Sequence, residues 1–184
     1  MTARIEALAP DDETLADELA RVINRAYAVG EEGLWQPGWV RTTAAEVTEL
    51  TRGGGMLAAS VEREIVGCGC VQPLDATTTD LGFVSVLPAL WGGGAGRAIV
   101  DAAEDLARSR GATTMQLELL VPKHWVHPHK DRLRGWYTRL GYRTIRTASF
   151  AEVATHLESQ LATPCEFLVF RKPLDGGSAT RSPS

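Results

Sequence analysis

Four glycines fall within five residues of this 184-residue chain, at Gly92, Gly93, Gly94 and Gly96. They follow an apolar run, Leu81 to Leu87, that reads as a buried strand and is closed by Pro88, which has no N–H to give a sheet ladder. A helical pattern follows at once. Ile99, Ala102, Ala103 and Leu106 recur at spacings of three and four, Arg97, Asp101, Glu104, Asp105 and Arg108 fill the other faces, and Gly111 ends the run. Strand, glycine loop and helix together aim free backbone N–H groups and the positive end of a helix dipole at one spot. Such a spot binds phosphate or pyrophosphate.

The spacing selects among glycine loops. A P-loop ends in Gly-Lys-Ser/Thr, whereas Gly96 is followed by Arg97-Ala98. The dinucleotide fingerprint needs a third glycine at Arg97 or Ile99, and prefers an early strand. The remaining pattern, Val86-Leu87-Pro88 leading to Gly94-Ala95-Gly96, resembles the acyl-CoA loop of the GNAT superfamily of N-acetyltransferases, with Trp91 where Gln or Arg is usual. A second stretch, Trp136-Tyr137 with Gly141-Tyr142 four residues on, is similar to that superfamily's F-Y-x-x-x-G-F element. Lys130 stands where the family usually carries Asn, seven residues before the tyrosine.

The resemblance implies acetyl-CoA as co-substrate and no metal. Its pyrophosphate would lie on Gly92, Gly93, Gly94, Ala95, Gly96 and Arg97 beside Trp91, its pantetheine along Val84 and Val86, and Lys130 would reach a CoA phosphate. Acyl transfer to an amine expels a thiolate, and Tyr137 is the candidate acid that protonates it, since a phenol near pKa 10 can serve a thiolate near about 8.5. A base must also take the amine's proton. By the same resemblance Asp80, eleven positions before Trp91, is one candidate; Glu118, a carboxylate amid Leu117, Leu119 and Leu120, is the other. His127 and His129 stay open as alternatives. The spacing of His124, His127 and His129 suits no common zinc site. Glu31, Glu32, Trp35 and Trp39, between the first two helices, offer ion pairing and indole faces to a cationic acceptor.

These residues need elements to hold them. Periodicity predicts a strand over 4–8, helices over 13–27 and 43–52, a hairpin over 56–73, the strand 81–87, the helix after the glycine loop, and a strand over 114–121. A loop is predicted over 124–131, then a helix over 132–140, a strand over 142–148, a helix over 151–161 and a last strand over 165–172. The fold class expected is α/β (α+β), a mixed, mostly antiparallel sheet flanked by helices, in one GNAT-like domain over 1–174. The polar residues 175–184 are expected to be disordered.

Composition bounds the function. An apolar fraction of 44% with 23% charged residues is that of a globular protein, and the net charge of -4 argues against a nucleic-acid surface. No run is long enough for a membrane helix, and three cysteines in apolar runs read as reduced, which suggests a cytoplasmic protein. The expected activity is acetyl transfer from acetyl-CoA to a small-molecule or peptide amine, in a possible homodimer. The alternative is a non-catalytic acyl-CoA-binding module of the same fold.

Overall fold

Seven strands form one sheet in the computed structural model, which describes residues 3–10, 12 and 14–174; the expected disordered tail lies outside the described residues. In chain order the elements are β1 (Arg4–Ala7), α1 (Ala16–Gly30), α2 (Ala44–Arg52), β2 (Met56–Val61), β3 (Glu64–Pro73), β4 (Thr78–Val86), α3 (Ala95–Ser109), β5 (Thr114–Pro122), α4 (Pro128–Arg139), β6 (Arg143–Ser149), α5 (Phe150–Ala154) and β7 (Cys165–Pro173). Short 3-10 turns cover Pro88–Leu90 and Thr155–Gln160. The sheet order is β1-β2-β3-β4-β5-β7-β6, antiparallel except where β4 meets β5.

Helices α1 and α3 bury the stripes that their periodicity marks. Leu19, Val22, Ile23 and Ala26 of α1 are buried, and so are Ile99, Val100, Ala103 and Ala107 of α3. Each Ile or Leu so removed from water stabilises by about 1.5–3 kcal/mol. Helix α3 lies close on the sheet because β3 offers glycine there: a Cβ on Gly69 would sit 2.7 Å from Ile99 Cγ2. Glu104 departs from the expected solvent face. It is 3% exposed and is held by the Tyr142 hydroxyl at 3.0 Å and the Lys172 ammonium at 2.7 Å, with Arg108 at 3.2 Å.

Predicted boundaries also move: α1 is Ala16–Gly30 against the expected 13–27, and β4 is Thr78–Val86 against the expected 81–87, which brings Asp80 into the strand. The segment read as a loop over 124–131 is helical from Pro128, because a proline at the first helical position gives up an N–H that has no intrahelical partner anyway. The helix predicted over 151–161 is a short α5 followed by a 3-10 turn; Ser149 and Glu152 cap its start reciprocally.

Candidate active site

The register of β4 and β5 creates the site. These parallel strands pair only at Thr78, Thr79 and Asp80 against Thr114, Met115 and Gln116, whereas β5 pairs with β7 from Thr114 to Pro122. Beyond Asp80 the seam opens into a cavity of about 1440 Å³. Residues of β4, β5, α4, the glycine loop and the α1–α2 connection line it.

A bulge in β4 shapes this opening. Gly82 faces Cys70 and Ser85 faces Cys68, so β4 spends three steps where β3 spends two, and Phe83 takes a φ of +55°. That left-handed conformation is strained for a phenylalanine. The Ser85 hydroxyl, at 3.0 Å, and the Cys68 thiol, at 3.6 Å, both donate to the Phe83 carbonyl, which pins the bulge in place.

Asp80 stands at the last paired position of the seam, with Glu118 two residues beyond its register partner Gln116. Both line the cavity. Burial, with the nearby Glu118 charge, pushes the Asp80 carboxyl up to about 7. Glu118 is also raised, by burial, although Arg146 opposes it. The structure thus brings both candidate bases together, and Asp80 is the one poised near neutrality.

Tyr137 lies on α4, 7% exposed, among Trp136, Tyr142 and Phe170. Its hydroxyl has no hydrogen-bond partner among the described residues, yet no partnerless side-chain N or O there is closed to solvent, so the hydroxyl opens on the cavity. Burial, with Tyr27 adding to it, holds the phenol well above its usual range, so it keeps its proton.

The glycine loop ends at the start of α3, where the first backbone bond runs from Ala98 N–H to the Gly94 carbonyl at 3.0 Å. No side chain caps the helix, so the N–H groups of Ala95, Gly96 and Arg97 are left to point outward. Gly92 and Gly94 have φ of +82° and +92°, and a Cβ at either would meet nothing within 4 Å. This open, donor-rich cradle fits a pyrophosphate. Trp91 donates its indole N–H to the Val86 carbonyl at 2.8 Å and stacks on His129 at 4.3 Å between centroids, so the loop touches the start of α4 across the cavity. Val84 and Val86 form the β4 wall between them and Asp80.

Two expectations are corrected here. Lys130 is 5% exposed and its ammonium lies 2.6 Å from Glu31 Oε1, so it neutralises a buried carboxylate instead of reaching for a phosphate. Glu31 also accepts from the Trp35 indole N–H, and is therefore not an open anion for a cationic acceptor; Glu32 is exposed and is not among the residues lining the cavity. Trp35 and Trp39 do line it, stacked at 3.8 Å.

The histidines divide by role. His127 caps α4: its Nδ1 accepts from His129 N–H, which leaves Nε2–H to donate to the Glu32 carbonyl, each at 3.2 Å. Burial, with Lys130 and Arg132 nearby, drives His129 down to about 4. Among the described residues no three His, Cys, Asp or Glu groups are placed to hold a metal. Cys68, Cys70 and Cys165 are free and buried, and burial raises each thiol to about 12, 12 and 11.

Sequence reasoning missed Arg41. It lines the cavity with its guanidinium 4.0 Å from the centre of the Phe83 ring and 5.3 Å from that of Tyr27. The signal available was its place at the end of the segment that holds Trp35 and Trp39.

A family model, Acetyltransferase (GNAT) family, matches residues 18–142. No curated protein matches the chain. Among solved structures, aminoglycoside 6'-N-acetyltransferase complexed with coenzyme A is similar at 17% identity and a TM-score of 0.72, over 98% of this chain and 99% of that one. The ribosomal-protein-S18-alanine N-acetyltransferase from Escherichia coli is similar at 14% identity and a TM-score of 0.65, over 99% and 100%. So is yncA from Salmonella typhimurium, solved with acetyl-CoA, at 16% identity and a TM-score of 0.65, over the whole of both chains. At these identities the likeness is one of fold.

Proposed function

The chain belongs to the acetyltransferase (GNAT) family, and on that premise we propose that it moves an acetyl group from acetyl-CoA to a primary amine by direct attack in a ternary complex. The observation that carries the proposal is the seam between β4 and β5. A donor-rich glycine loop, a carboxyl near pKa 7 and a protonated phenol all border the one cavity that opens there. Similar folds have been solved with coenzyme A or acetyl-CoA, which supports the choice of co-substrate.

The co-substrate supplies an activated acetyl thioester; the chain supplies position and protons. The N–H groups of Ala95, Gly96 and Arg97 hold pyrophosphate at the α3 N-terminus, and Val84 and Val86 form the wall along which pantetheine lies. Asp80 accepts the proton that the amine loses as its nitrogen bonds to the acetyl carbon, directly or through water. Tyr137 holds a proton at Oη for the thiolate that departs when the C–S bond breaks. Trp35 and Trp39 give the acceptor an aromatic wall. Bringing both reactants into one cavity lowers the entropic part of the barrier.

Ligand-induced stabilisation tests the co-substrate. Saturating CoA or acetyl-CoA, at about 100 times Kd, should add about 2.7 kcal/mol and raise Tm by roughly 5–10 °C, whereas NAD(P) and ATP should not. Gly94→Val should abolish the shift, because its side chain would fill the space above the free N–H groups and its φ of +92° disfavours valine. A shift with NAD and none with CoA contradicts the proposal.

A further inference from the structure

Several of the carboxylates around the cavity have partners within the protein. Glu31 pairs with Lys130 at 2.6 Å, and Asp131 with Arg134 at 2.6 Å. Glu46 accepts from the Thr42 hydroxyl at 2.6 Å, and Glu118 feels Arg146. Among the described residues lining the cavity, Arg41, Arg132 and Arg139 form no ion pair with a carboxylate, and of these three only Arg41 is stacked on aromatic rings. Its guanidinium lies over the Phe83 ring at the β4 bulge, beside Tyr27, and it is only partly exposed.

An arginine stacked on an aromatic ring is held in one orientation, and its N–H groups at the ring edge stay available for planar, bidentate binding of a carboxylate. Phe83 is three residues from Asp80 along β4, at most about 10 Å of strand and less where the bulge shortens it. That separation matches an acceptor whose amine meets Asp80 while its carboxylate, several bonds away, meets Arg41.

We infer that the acceptor is a small amino-carboxylate, and that Arg41, stacked on Phe83 at the mouth of the β4 bulge, selects it by binding the carboxylate. The inference rests on the acetyl-transfer reading above and adds the acceptor class. Arg41 belongs to the α1–α2 connection and the proposed base to β4, so the two ends of the acceptor would be read by different elements.

The test compares β-alanine, 4-aminobutyrate, 6-aminohexanoate and glycylglycine with their amides, measuring acetyl-CoA-dependent thiol release and N-acetyl product. The expected kcat/KM for the best acid exceeds that for its amide by about 10- to 100-fold, as a charged hydrogen-bonded pair provides. Arg41→Gln should bring the ratio near one by slowing the acid alone, with KM for acetyl-CoA unchanged, and Arg41→Lys should restore part of it. The wild-type ratio needs no variant to fold. Equal rates for acid and amide, amides preferred over acids, or equal losses on both in Arg41→Gln overturn the inference and leave the acetyl-transfer reading standing. Turnover of no amine, with CoA still bound, overturns both.

Discussion

At the scale of single residues, the account rests on two groups whose protons are held oppositely. Asp80 is raised to about 7 by burial and by Glu118, so it is a base only above that pH. Its ionised form is less favourable in the fold than in the unfolded chain, where 3.8 is ordinary; the protonated form therefore stabilises the fold below about pH 4, and that stability is lost as pH rises through about 7. Catalysis runs the other way. The wild-type kcat/KM should climb through about pH 7 and level off. Tyr137 stays protonated well above its usual range, so it should add no falling limb below pH 10. Tyr137→Phe should lower kcat by about 10²–10⁴ and leave the limb near 7 in place. An unchanged kcat would remove Tyr137 from the chemistry, and a displaced limb would mean that the phenol, not Asp80, sets it.

At the scale of elements, the ends of α1 and α4 are fastened by a charge pair that joins Glu31 and Lys130 across 99 positions of sequence. Lys130 and Tyr137 are the buried residues of α4 and lie seven apart, two turns on one face, so the pair fixes the rotation that presents the phenol. Lys130→Met would strand a buried carboxylate and cost about 3–5 kcal/mol in denaturant unfolding. Glu31→Gln combined with Lys130→Met should recover most of that loss. A single-variant cost below about 1 kcal/mol would show the pair to be solvated. Such pairings mark the limit of what the sequence shows. The glycine loop with its flanking strand and helix was legible because periodicity and turn chemistry are local, and the Tyr137 segment because it resembles a family element. The partners of Lys130 and Glu104 were not, because hydrophobic spacing carries no information about which distant side chain will be met. The β4 bulge was hidden for another reason: its strained residue is Phe83, not the glycine beside it. Arg41 gains its meaning only from the ring beneath it.

At the scale of the molecule, the sheet is two antiparallel halves joined by three registered pairs at β4 and β5. That short seam leaves the strands free to part, and α3 and α4 then close the gap from its glycine and tyrosine sides. No helix among the described residues is long and apolar enough to cross a membrane. The architecture agrees with the fold of an acetyltransferase at a TM-score of 0.72, while the chemistry stays with the residues at the seam. The most direct test of the central claim is therefore a product measurement at pH 8: mass-spectrometric detection of N-acetylated amine alongside free CoA, from the purified protein with acetyl-CoA and an amine panel. The account predicts the two products in equal amounts, with formation strongly reduced in Asp80→Asn. Binding of acetyl-CoA without either product, or thiol release without an N-acetyl product, would contradict it.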